Sequence, residues 1–238
     1  PTLTSSETDN AFCSGTSVTF TASGGTSYNF RVNGTSRQSG ASNTFTTSTL
    51  TNGQVVDVVV SNDFGCSATS SGITNTVYAL PAPTLSSSDP DNIFCMGTTV
   101  TFLATGGVNY DFRIGGVTVQ NGASNTFITS TLTNGQSVSV VVTNSNGCTA
   151  ASAGITNYVN TLPFIAVTTP AACAPNLLTY SLGVTVNTGT VTSTAGTVTP
   201  AGTNVWNITG APSGTNITVT VRDIAECESS IAITAPNC

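Results

Sequence analysis

The sequence predicts an all-β fold on three observations: a gapless repeat of 82 residues, apolar side chains alternating with polar ones, and cysteines that return at a constant spacing. Pro1-Thr2-Leu3 returns as Pro83-Thr84-Leu85, Ala41-Ser42-Asn43-Thr44-Phe45 as Ala123-Ser124-Asn125-Thr126-Phe127, and Thr51-Asn52-Gly53-Gln54 as Thr133-Asn134-Gly135-Gln136. By count 52 of the 82 positions are identical, which marks a repeat architecture.

Within a copy the strands follow in order. Val18, Phe20 and Ala22 alternate with Thr19 and Thr21; Tyr28, Phe30 and Val32 with Asn29 and Arg31; Val56, Val58 and Val60 flank Asp57 and Val59. This period of two gives each strand one buried face. Gly24-Gly25, Asn33-Gly34 and Asn52-Gly53 supply the turns between them. No stretch carries a 3.6-residue period. About seven short strands in ~80 residues fit an immunoglobulin-like β-sandwich, here as tandem modules in a linear array.

The third segment joins the series through its cysteines. Cys13 to Cys66 and Cys95 to Cys148 are each 53 residues apart, and Cys173 to Cys227 is 54. An offset of 161 then maps Val56, Val58 and Val60 onto Ile217, Val219 and Val221, and Phe45 onto Trp206. The expected modules are 1–82, 83–163 and a divergent 164–238, joined by stiff Pro-containing connections at Leu80-Pro81-Ala82-Pro83 and Leu162-Pro163.

Composition narrows the function. Charged residues make up only 6 % of the chain, against about 25 % in an ordinary globular protein. The basic residues are Arg31, Arg37, Arg113 and Arg222, with no lysine or histidine, and the net charge is −6. Nucleic acid binding needs clustered Lys or Arg and is not expected. No apolar run approaches the ~18–20 residues of a membrane span. No leader-like segment opens the chain, which reads as a mature or internal stretch.

The cysteine spacing predicts three disulfides inside the modules, Cys13–Cys66, Cys95–Cys148 and Cys173–Cys227, formed in an oxidising compartment. Zinc binding is the rival reading, but its closely spaced ligands are missing. Cys238 is left over: either free, or paired with a residue beyond this sequence.

Catalysis finds little to work with. Without histidine or lysine there is no Ser-His, Cys-His or Schiff-base chemistry, so no enzyme and no cofactor is expected. Glu7-Thr8-Asp9-Asn10 recurs as Asp89-Pro90-Asp91-Asn92. Asp9, Asp89 and Asp91 are weak calcium candidates, too few for ~6–8 oxygen ligands, and solvated turns explain them better. Arg31 and Arg113 read as halves of cross-strand ion pairs. Trp206 reads as core, and Phe64 and Tyr78 as exposed aromatics.

The run Phe12-Cys13-Ser14-Gly15-Thr16-Ser17-Val18-Thr19-Phe20-Thr21-Ala22-Ser23-Gly24-Gly25, with Asn33-Gly34, Thr51-Asn52-Gly53 and Gly65-Cys66 after it, resembles the Ig/PKD-like repeats of large cell-surface gliding-motility adhesins (SprB-like). The third copy departs from it, with Cys173-Ala174-Pro175 in place of Cys13-Ser14-Gly15. The resemblance implies export by type IX secretion, an extracellular, cell-surface location, further repeats of the same polypeptide as partners, and a role in surface attachment and gliding motility, with surface polysaccharide as a candidate ligand. The alternative is a set of carbohydrate-binding or spacer modules in a larger secreted enzyme.

Overall fold

The computed structural model describes residues 1–238. The chain is all-β, with 27 strands and no helix, so no helix is long and apolar enough to cross a membrane. It divides into two compact units. The first comprises Pro1–Leu85, Ala104–Asn125 and Ser139–Gly154, and the second Ser86–Leu103, Thr126–Val138 and Ile155–Cys238.

The first sequence repeat lies wholly in unit 1. Its strands are β1 (Thr2–Ser5), β2 (Ala11–Cys13), β3 (Val18–Ser23), β4 (Ser27–Val32), β5 (Thr35–Gly40), β6 (Thr44–Thr47), β7 (Val55–Ser61), β8 (Ser67–Thr69), β9 (Ile73–Thr74) and β10 (Thr76–Tyr78). One sheet runs β1-β3-β6; the other runs β5-β4-β7-β8, with β9 also on β7. β2 pairs in parallel with β10. The alternation read from the sequence sets the packing. Phe20 and Phe45 face inward from one sheet, and Phe30, Val56, Val58 and Val60 from the other. Phe45 stacks on Phe20 and Phe30 at ring-centroid distances of 6.4 and 5.7 Å. Two sheets closing on one apolar layer make a sandwich.

The second repeat forms the same strands 82 residues on: β11 (Thr84–Ser87), β12 (Ile93–Cys95), β13 (Val100–Thr105), β14 (Asn109–Ile114), β15 (Val117–Gly122), β16 (Thr126–Thr129), β17 (Ser137–Thr143), β18 (Thr149–Ala151), β19 (Ile155–Thr156) and β20 (Tyr158–Asn160).

The third segment, in unit 2, holds β21 (Ile165–Cys173), β22 (Thr179–Val186), β23 (Thr190–Ser193), β24 (Thr197–Gly202), β25 (Val205–Pro212), β26 (Ile217–Arg222) and β27 (Glu228–Ile233). Its sheets run β21-β22-β25-β24 and β23-β26-β27, the constant-type immunoglobulin arrangement. Here it differs from the first repeat, because β24, the counterpart of β5, lies on the other sheet. The cause is local. In the first repeat Asn33-Gly34, both at positive φ, close a two-residue hairpin that holds β5 against β4. In the third segment the two-residue loop is Thr203-Asn204, with Asn204 at φ 62, and it holds β24 against β25.

The alignment of Trp206 with Phe45 shifts accordingly. Phe45 stands opposite Phe20, whereas Trp206 stands opposite Val184 and packs half-buried against the core. The fully buried neighbour two residues on is Ile208.

Tyr180 is fully buried and donates its hydroxyl to the Thr215 carbonyl at 2.7 Å. Burial pushes its phenol above the ordinary value. A raised folded-state value means that this contribution is fully present below about pH 10 and is lost as pH rises further. Tyr180→Phe is therefore expected to cost about 1 kcal/mol at neutral pH, by orphaning the carbonyl, and to flatten the fall in stability above pH 10. Urea titrations at pH 7 and in the alkaline range check both parts.

Candidate functional site, the cysteine turns

Three turns share one design. Asn62-Asp63-Phe64-Gly65-Cys66 follows β7, Asn144-Ser145-Asn146-Gly147-Cys148 follows β17, and Asp223-Ile224-Ala225-Glu226-Cys227 follows β26. In each, the first side chain turns back on its own loop. Asn62 Oδ1 accepts from the Phe64 and Cys66 amides at 3.1 and 3.0 Å. Asn144 Oδ1 accepts from Asn146 and Cys148, both at 3.0 Å, and Asp223 Oδ1 from Ala225 and Cys227, both at 2.9 Å. The cysteine is thus fixed at the foot of a tight hairpin.

The fourth residue needs a left-handed backbone. Gly65 and Gly147 meet this at φ 78 and 80, but the third turn puts Glu226 there at φ 64. Its ion pair with Arg222, 3.1 Å apart and well exposed, offsets little. Glu226→Gly is expected to raise stability by about 0.5 kcal/mol, read as a higher urea midpoint.

The other cysteines end strands. Cys13 closes β2, lies opposite Tyr78 of β10, and precedes a turn at Gly15 (φ 86); Cys95 closes β12 opposite Asn160, before Gly97 (φ 87). Cys173 closes β21 opposite Tyr180 of β22.

The disulfides do not follow the pairing read from the sequence. Cys13 bonds Cys148 and Cys95 bonds Cys227, with Cα atoms 5.6 and 5.5 Å apart. Cys173 bonds Cys238, so Cys238 is paired, and Cys66 is the free, exposed thiol. Cys13–Cys66, Cys95–Cys148 and Cys173–Cys227 are therefore corrected. The reason is strand geometry. Cys66 sits just beyond Ser61, at one end of β7, while Cys13 sits beside Tyr78, near the Val55 end. Seven residues of strand separate the two by roughly 20 Å, and a disulfide needs Cα atoms within about 7 Å. Constant spacing in the sequence reflected the repeat, and two of the three bonds, Cys13–Cys148 and Cys95–Cys227, run from one repeat's strand end to the next repeat's turn, while Cys173–Cys238 stays within the third segment.

A seat accompanies the first staple. Asn144 Nδ2 donates to the Ala79 carbonyl at 3.0 Å. A Cβ on Gly106, which has φ 106, would stand 2.7 Å from the Ala82 carbonyl oxygen and 3.1 Å from Pro83 Cα. Gly106-Gly107, the counterpart at offset 82 of the Gly24-Gly25 pair read as a turn, is thus also where the incoming chain passes. Cys148 is buried in this seat, with 1 % of its surface exposed.

The remaining candidates serve their own loops and strands. Asp9 Oδ1 accepts from the Ala11 amide, and Asp89 and Asp91 both accept from the Ile93 amide. No three His, Cys, Asp or Glu side chains gather as a metal-holding group. Arg31 forms a bidentate pair with Asp57 directly across β4 and β7, at 2.7 and 2.9 Å, and the hydrogen-bonded carboxylate raises its guanidinium above the ordinary value. In the second repeat Ser139 stands where Asp57 did, and Arg113 turns to Asp111, which replaces Asn29. Phe64 is 90 % exposed, and Tyr78 is half-buried. Asn75, fully buried, was not foreseen; its Nδ2 holds the Gln54 and Ile73 carbonyls, both at 3.0 Å.

No protein-family profile matches the chain, and no curated protein matches it. Among solved structures, fibronectin(III)-like modules of Clostridium thermocellum CbhA align at 14 % identity and TM-score 0.37, over 63 % of this chain and 89 % of that one. Three N-terminal domains of the bacteriophage RB49 outer capsid protein Hoc align at 12 % identity and TM-score 0.33, over 100 % and 98 %. A marsupial T cell receptor aligns at 12 % identity and TM-score 0.37, over 98 % of each chain.

Proposed function

We propose that this chain is a segment of a repetitive cell-surface adhesin that acts in surface attachment and gliding motility, with a structural and adhesive role and no catalysis. The observation that carries this reading is the pair of staples joining successive repeats, Cys13–Cys148 and Cys95–Cys227. Disulfides belong to an oxidising, extracellular setting, and covalent bonds between neighbours suit a chain that transmits pull. The three modules at 1–82, 83–163 and 164–238 are its links. A chain without histidine or lysine offers few catalytic groups, and its Ser-, Thr- and Asn-rich surface suits contact with polysaccharide.

The test is surface labelling and blocking on the cells that make the protein. Antibody fragments raised against residues 1–238 are expected to label intact cells and to reduce attachment and surface spreading. Labelling confined to the medium, or attachment unchanged on fully labelled cells, contradicts the reading.

A second reading, carbohydrate-binding or spacer modules of a larger secreted enzyme, draws on a cleft of about 380 Å³ over β21, β22 and β25. Thr169, Ser181, Asn207 and Thr209 bring hydroxyl and amide groups to an otherwise mostly apolar lining that holds no aromatic ring. Selective binding on a glycan array, abolished by Asn207→Ala, would favour this reading.

A further inference from the structure

Cys66 occupies the position that Cys148 and Cys227 occupy, in a turn held by the same side-chain bonds, yet it is exposed while they are buried and bonded. Beside it lies a cavity of about 180 Å³, lined among others by Gly24, Val60, Asn62 and Cys66. These correspond at offset 82 to Gly106, Val142, Asn144 and Cys148. In the second repeat Gly106 and Asn144 receive Ala82 and Ala79, and Cys148 receives Cys13. At the first turn Asn62 has its oxygen engaged in the same two bonds and also lines the cavity.

We propose that this cavity is the seat of a further copy of the repeat, and that Cys66 forms a disulfide with that copy's strand-end cysteine, the counterpart of Cys13. Cys66 is free, whereas the third segment's strand-end cysteine, Cys173, is bonded to Cys238. The proposal holds for an adhesin and for an inert stalk alike, so its failure leaves the adhesive reading standing. Chemically, the two thiols give up two electrons and two protons to a disulfide oxidant. With oxidised glutathione, one protein disulfide forms and two molecules of reduced glutathione leave, by way of a mixed disulfide.

The experiment adds residues 1–82 ahead of Pro1, so that Ala82–Pro1 reproduces the natural Ala82–Pro83 junction. In the added copy Cys66 is replaced by Ser. After oxidation in a glutathione buffer, the 238-residue chain is expected to keep Cys66 outside any protein disulfide, as a thiol or its glutathione adduct, and the extended chain to show neither. A non-reduced peptide map should link Cys66 of the original chain to Cys13 of the added copy, with Cys13–Cys148 and Cys95–Cys227 intact. A free Cys66 beside an intact pair of staples overturns the proposal, as does Cys66 capped by glutathione or bridging two chains. A second variant removes the need for a bond: with Cys13→Ser in the added copy, native-state alkylation of Cys66 is expected to slow about tenfold, because the seat is covered. An unchanged rate overturns the proposal.

Discussion

Pulled by its two ends in the oxidised state, the fully unfolded chain will extend to about 140 Å, and after reduction to about 800 Å. The limit follows from the bonds. Force travels from Pro1 to Cys13, crosses to Cys148, follows the chain to Cys173 and crosses to Cys238. Everything between is shielded, including the segment closed by Cys95–Cys227. Pairing inside each repeat would leave the connecting segments free and give about 270 Å, so the length itself distinguishes the two schemes. Each long staple closes a loop of more than 130 residues and on chain-entropy grounds contributes roughly 5 kcal/mol. Single-molecule extension with and without reductant measures all three lengths.

The second large effect is expected in the core. Phe30→Ala should destabilise the protein by about 3–5 kcal/mol and lower the first melting transition of the oxidised chain on the order of 15 °C. Phe30 is fully buried, stacks on Phe45 and stands opposite Val58 of β7. Its removal leaves a cavity between two sheets that cannot close, since hairpins fix β4 on one side and the ladder to β7 on the other. Phe64→Ala is the control, at 90 % exposure, with an expected change within about 0.5 kcal/mol. Thermal melts followed by circular dichroism compare the two.

Much of the fold was legible because a half-buried strand writes its burial into the sequence with period two. Val56, Val58 and Val60 and their counterparts Ile217, Val219 and Val221 are all buried where the alternation placed them. Asn33-Gly34 marked the hairpin that fixes β5. The change of sheet in the third segment was visible only as a two-residue loop moved to Thr203-Asn204, a weaker signal without the glycine. The disulfides were misread for a physical reason. Equal spacing within each copy is guaranteed by repetition whichever cysteines bond, so spacing carries no information about partners. The Asn four residues before Cys66 and Cys148, and the Asp before Cys227, marked the turn, and a turn at one end of a sandwich is out of reach of a strand end at the other. The Arg31 pair was foreseen from its outward position, whereas the Arg113 pair depended on an exchange of Asp57 for Ser139 and Asn29 for Asp111, which places the carboxylate on the same strand.

Peptide mapping of the oxidised, thiol-blocked chain without reduction tests the repeat-to-repeat staples most directly. The expected cross-links are Cys13–Cys148, Cys95–Cys227 and Cys173–Cys238, with the blocking group on Cys66 alone. Cross-links Cys13–Cys66, Cys95–Cys148 and Cys173–Cys227, with the blocking group on Cys238, would contradict it.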